Sequence, residues 1–143
     1  MTPDLPPNPS DDDLRYLLTG VRRIAVIGLS PKPHRDSHRV SAYMQRMGLE
    51  IVPVYPREET ILGERVYRTV GEIDGPIDLF NVFRRSEDLP DVVDEILTSS
   101  ASSSPVWFQL DCVHPRAIAD LTRAGRTVVY DRCLMVEYAR LLR

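Results

Sequence analysis

Between an apolar run, Ile24 to Ile27, and an amphipathic segment beginning near Ser37 lies the polar stretch Gly28-Leu29-Ser30-Pro31-Lys32-Pro33-His34-Arg35-Asp36. Its chemistry is that of a phosphate-binding turn. Gly28 lets the backbone turn where a side chain would obstruct a ligand. Ser37 reads as the N-cap of a helix carrying Val40, Tyr43, Met44 and Met47 at helical spacing, with Gly48 as its stop. The unpaired amides and positive dipole end of that helix face the loop, which suits an anion such as a pyrophosphate.

Three other groups of residues could do chemistry. Arg84 and Arg85 follow an apolar run and could clamp a phosphate or simply be solvated. Gln109 ends a second apolar run, where it could bond a ligand amide or satisfy a loop. In Asp131-Arg132-Cys133, a thiol lies beside an arginine and a helix start, which can lower its pKa; against a reactive thiol stand the absence of a neighbouring histidine and the frequency of packed cysteines. His34, His38 and His114 have no metal-ligand spacing, and Cys112 and Cys133 no C-x-x-C spacing, so reduced thiols without zinc are expected. No G-x-S-x-G elbow or G-K-[ST] phosphate loop occurs. A dinucleotide fingerprint is incomplete: only Gly28 of its three glycines is present, and Tyr55-Pro56-Arg57 stands where an acidic residue would hold a ribose, with Glu58 and Glu59 slightly later.

The elements that would position these residues alternate along the chain. Ser10 and three aspartates cap a helix through Leu14, Leu17 and Leu18 that stops at Gly20. A second strand spans Leu49 to Tyr55 and is expected to end or bulge at Pro53, which cannot donate to a ladder. A loop through Gly63 leads to a short capped turn at Thr69–Ile73 and then a third strand, Ile77 to Phe83. Ser86 or Asp88 caps the next helix, with Pro90 in its first turn and Val92, Val93, Ile96 and Leu97 as its buried stripe. A serine-rich loop from Thr98 to Ser104, a strand at Val106–Leu110, a helix over 115–124, a strand at Thr127–Tyr130 and a closing helix from Leu134 complete the series. Repeated β-α units imply parallel strands with right-handed crossovers: an α/β, Rossmann-like, doubly wound sheet of about five strands with helices on both faces. Ligands in such sheets sit beyond the strand carboxyl ends.

With 143 residues, 43% hydrophobic and 27% charged, the composition is that of one globular domain, over residues 10–143. Four prolines among the first nine residues make 1–9 an expected flexible arm. No apolar run approaches the roughly 20 residues of a membrane helix, and the first residues lack a secretory pattern, so a cytoplasmic location is expected. A net charge of −3 leaves no basic field for nucleic acid. Eighteen basic residues include a single lysine, Lys32, so individual arginines carry modest weight.

Taken in order, Val26-Ile-Gly-Leu-Ser-Pro-Lys-Pro33 with Arg35 and Ser37, Val52-Pro-Val-Tyr-Pro56, Asp78-Leu-Phe-Asn-Val-Phe-Arg84, Trp107-Phe-Gln-Leu110 and Tyr130-Asp-Arg-Cys133 with Glu137 resemble the small single-domain CoA-binding proteins related to the N-terminal domain of the succinyl-CoA synthetase alpha subunit. The resemblance covers roughly Val21 to Tyr138. It departs at Tyr55, where the family has asparagine, and at Leu134, where it has proline. It implies binding of coenzyme A or an acyl-CoA, with no catalysis by the chain itself; 143 residues leave no room for the synthetases' phosphohistidine and catalytic partner domain. By the same resemblance Gly28, Leu29 and Ser30 border the pyrophosphate with Arg35 and Ser37 nearby, and Lys32 or Arg57 suits the phosphates. Pro53, Val54 and Tyr55 frame the adenine or ribose, and Val82, Phe83 and Arg84 form the other wall. Gln109 and Cys133 complete the candidate set; any protein partner is unknown. The alternative is an NAD(P)-dependent oxidoreductase using Arg57 for a 2′-phosphate.

Overall fold

In a computed structural model, residues 5–99 and 103–142 are described. α1 (Asp11–Gly20) begins at Ser10, whose hydroxyl accepts the Asp13 amide, as its spacing requires. β1 (Arg23–Ile27) runs through the apolar Ile24–Ile27 segment into α2 (Asp36–Arg46). β2 (Glu50–Val54) follows, then a two-stranded hairpin, β3 (Thr60–Ile61) and β4 (Glu64–Arg65), and a 3₁₀ turn at Val70–Glu72. β5 (Leu79–Val82) leads through a 3₁₀ turn at Ser86–Asp88 into α3 (Leu89–Ser99). β6 (Val106–Phe108), α4 (Pro115–Arg123), β7 (Val128–Val129) and α5 (Leu134–Leu142) finish the chain.

The main sheet is parallel, in the order β2-β1-β5-β6-β7. Its strands are buried on both faces, which is why they read as continuous apolar runs. One face packs Ile24, Val26, Leu79, Trp107 and Val129 against Leu14 and Leu18 of α1, Val40 and Met44 of α2, and Leu134 and Leu141 of α5. The other packs Ala25, Ile27, Phe80, Val82, Val106 and Phe108 against Leu89, Val93 and Ile96 of α3 and Ile118 and Leu121 of α4. The sheet is thus doubly wound. The crossover after β1 leaves by one face and the crossover after β5 by the other, so these neighbouring strands define the switch point where a crevice opens.

Several local expectations are corrected. β2 does not end at Pro53: the Pro53 carbonyl accepts the Tyr67 amide on the outer side of the sheet, so the missing N–H falls away from β1 and no ladder bond is lost. The loop through Gly63 is the β3–β4 hairpin, whose Leu62 and Gly63 both take positive φ, +54° and +76°. The 3₁₀ turn after Thr69 is capped by Glu95, which accepts the Val70 amide at 2.6 Å, and not by Thr69. Ser86 does not cap the next helix; it donates to the Asp111 carbonyl and accepts the Val113 amide. Within the stretch expected as an arm, the Pro6 carbonyl accepts the Tyr130 hydroxyl at 2.6 Å, and Asn8 both donates to and accepts from the Tyr130 backbone. Residues 1–4 and 100–102, the latter in the serine-rich loop, lie outside the described residues.

Candidate functional site

The loop after β1 is braced from within. Gly28 has φ +90°, and a Cβ on it would stand 2.2 Å from the Phe83 carbonyl oxygen. The glycine is therefore demanded by the close approach of the β1 and β5 ends as well as by its own conformation. Beyond it the Ser30 amide donates to Ser37 Oγ at 3.0 Å, and the Lys32 amide donates to Ser30 Oγ at 3.1 Å. This corrects the expected role of Ser37. Arg35 occupies the N-cap position without a side-chain bond, while Ser37, inside the first turn and 4% exposed, turns its hydroxyl back to the loop. Because Arg35 at the N-cap offers no side-chain acceptor, the amides of Asp36 and Ser37 meet no acceptor among the described residues.

Around this turn the candidate residues divide. Lys32 and Arg35 are exposed and Ser30 half-buried. Arg84 is exposed, and its Cδ lies 3.5 Å from the Cβ position of Gly28, so its side chain crosses the turn. Phe83 and Tyr55 are half-buried at the ends of β5 and β2; the Arg57 guanidinium stands over the Tyr55 ring, 5.7 Å from its centroid. These residues lie at or beyond the carboxyl ends of β1, β2 and β5. Leu29, Val54 and Val82 do not present side chains to the crevice: all three are core residues, with Val54 and Val82 on the face covered by α3 and α4. Pro53 is likewise buried within β2. Adjacent strand residues point to opposite faces, and helices cover both, so neither Pro53 nor its neighbour Val54 offers a side chain at the strand end.

Gln109 is also engaged. It is 5% exposed and its Oε1 accepts the Leu134 amide at 2.9 Å, capping the first turn of α5. Cys133 is half-buried at the head of that helix, its carbonyl accepting the Glu137 amide. Cys112 is buried with its thiol against the Arg84 carbonyl, and burial pushes its pKa up, away from reactivity. His114 Nδ1 accepts the Ala117 amide and caps α4, which accounts for that histidine.

Residues outside the candidate set also contribute. Asp111 and Asp131 follow β6 and β7 in left-handed conformations, φ +64° and +54°, and Asp131 Oδ1 accepts the Asp111 amide, tying two carboxyl-end loops together. Aspartate tolerates this conformation, the one local signal available. Arg68 donates to the Tyr55 and Glu58 carbonyls and fixes the turn carrying Arg57. Asn81, 1% exposed on the face shared with α2, has no partner for either side-chain amide atom among the described residues, and neither has Ser41 Oγ on α2. Hydrogen-bonding capacity is thus unspent, among the described residues, between the sheet and α2.

A parallel, doubly wound sheet with a glycine turn and a helix N-terminus at its switch point defines the class: Rossmann-like domains that take ligands beyond their strand carboxyl ends. Within it, this chain belongs to the CoA binding domain family, whose model matches residues 22–139. It is similar to protein YneT of Bacillus subtilis (strain 168), 47% identical over 133 residues, which span 92% of this chain and 96% of that one. A solved structure from Thermus thermophilus superposes with a TM-score of 0.87 at 35% identity, covering 93% of this chain and 99% of that one. The fold is also that of part of an acetyl-coenzyme A synthetase from Ca. Korarchaeum cryptofilum (TM-score 0.64, 18% identity, 83% of this chain and 27% of that one).

Proposed function

We propose that the chain binds coenzyme A or an acyl-CoA in the crevice between the β1 and β5 loops, and that it catalyses no reaction of its own. The observation that carries this is the Ser30–Ser37 hydrogen bond: it folds the loop across the head of α2 while leaving the amides of Asp36 and Ser37 free of protein acceptors among the described residues. Such a helix head favours anions, and the exposed Lys32, Arg35, Arg84 and Arg57 add mobile positive charge around it. CoA brings a pyrophosphate and a 3′-phosphate to such a rim, and an adenine to the half-buried Tyr55 and Phe83. Membership of a CoA-binding family supports the same ligand. Catalysis is left out because Cys133, the half-buried thiol near the crevice, hydrogen-bonds no base among the described residues.

A thermal-shift titration with CoA, acetyl-CoA, dephospho-CoA, NAD and NADP tests this. A ligand selective for the native state adds about 2.7 kcal/mol at a hundred times its Kd. The expected result is a concentration-dependent rise with CoA and acetyl-CoA, smaller with dephospho-CoA, and lost in Ser30→Tyr. No shift at millimolar CoA, or a shift confined to NAD or NADP, overturns the proposal, the latter in favour of an oxidoreductase.

A further inference from the structure

At the end of the sheet opposite the β1 loop, a groove of about 1080 Å3 opens where the chain enters β1, β5, β6 and β7, walled by α1 and by Pro6 and Pro9. Its size matches small-molecule sites, which are apolar with a few placed polar groups. Those prolines hold their position through the bonds of Pro6 and Asn8 to Tyr130. Tyr16, 86% exposed, also lines the groove.

One charged group in this groove is unbalanced. Arg126 is 8% exposed, donates from Nη1 to the Ser104 carbonyl at 3.1 Å, and has no carboxylate partner among the described residues. Burial lowers its pKa from the ordinary arginine value. The other cation lining the groove, Arg15, is committed to Asp12 and to the Leu141 carbonyl. Asp78 Oδ2 accepts the Arg22 and Arg23 amides, and the carboxylate forms no ion pair with Arg126. A buried guanidinium without a counter-charge is costly, and a carboxylate matches its fork with two acceptors.

We propose that this groove binds a small monoanionic carboxylate with a flat apolar body, the carboxylate on Arg126 and the body between Pro6, Pro9 and Tyr16. The ligand is singly charged because Asp12, Asp13 and Asp78 also line the groove and outnumber Arg15 and Arg126. A polyphosphate such as CoA is repelled there, so this second site is independent of the crevice.

Benzoate, 2-naphthoate and indole-3-acetate serve as probes in calorimetric titrations of the full chain, with neutral 2-naphthamide as the charge control and CoA as the control for the other site. At least one carboxylate binds saturably, and 2-naphthamide binds at least about 10-fold more weakly than 2-naphthoate. Arg126→Gln lowers the carboxylate affinity by about 10-fold or more. Should that variant fail to fold, Gly20→Trp decides: Gly20 lines the groove at the end of α1, and a Cβ there meets nothing within 4 Å, so a bulky side chain is admitted at the groove's rim, where it narrows the opening. Loss of carboxylate binding in Gly20→Trp with the CoA response unchanged supports the site. No saturable binding of any of the three carboxylates at millimolar concentration, equal binding of the amide, or wild-type affinity in Gly20→Trp overturns it, whatever CoA does.

Discussion

Gly28 shows how much one missing Cβ can decide. The sequence identifies it as a turn glycine near a ligand, and its left-handed φ agrees; its 2.2 Å approach to the Phe83 carbonyl joins residues 55 positions apart, which no local pattern discloses. Gly28→Ala is therefore expected to cost more than about 3 kcal/mol in urea unfolding, from a strained φ and a backbone clash together. Gly48 is the control: it has the same φ of +90° but open space around it, so Gly48→Ala should cost about 1–2 kcal/mol. Equal losses would show that the φ alone matters. The same limit hid the true duty of Ser37. Its type and place next to a helix start announce a cap, but only the folded loop shows that its hydroxyl is used by Ser30, seven residues earlier.

At the scale of elements, legibility follows the distance between partners. Ser10 and Asp13 are three residues apart and their cap is visible in sequence; Glu95 capping a turn at Val70, or Gln109 capping α5, is not. Parallel strands are legible as unbroken apolar runs, since both faces of the sheet are covered, whereas the two-residue strands of the β3–β4 hairpin are too short to show alternation. The Gln109–Leu134 bond makes a prediction at this scale. Gln109→Met keeps the volume and removes the acceptor, leaving a buried amide unmet, so stability should fall by about 1–3 kcal/mol. Amide exchange should quicken at the start of α5 and not in α4. Uniform exchange across the two helices would assign the loss to packing instead.

Across the whole molecule, α1 and α5 are fastened together. Arg140 in α5 pairs with Asp11 in α1 through two 2.8 Å bonds and with Glu137 in its own helix. The Arg140 hydrogen bond lowers the Asp11 pKa below its ordinary 3.8, with the Arg140 charge acting in the same direction against desolvation. A carboxylate depressed in the folded state stabilises it above the unfolded pKa and loses that contribution as pH falls through the folded value. The stability gap between the native protein and Asp11→Asn should accordingly be present at neutral pH and close as the carboxylate is protonated in acid, below the ordinary 3.8, and added salt should shrink it because the pair is exposed. A gap unchanged through acid titration would show that the carboxylate's charge is not what joins the helices.

The fastening of Asn8 to Tyr130 has a second meaning. An amide side chain that gives and takes one hydrogen bond with the backbone just beyond β7 behaves as a strand one residue long, and it occupies the groups that an added strand would seek there. At the opposite border Tyr67 bonds to the backbone of Pro53 and Tyr55, and Pro53 has no N–H to offer. Each margin of the sheet is thereby blocked at its carboxyl end, which shortens the edge open to edge-to-edge pairing, the route by which exposed strands recruit other chains into larger sheets.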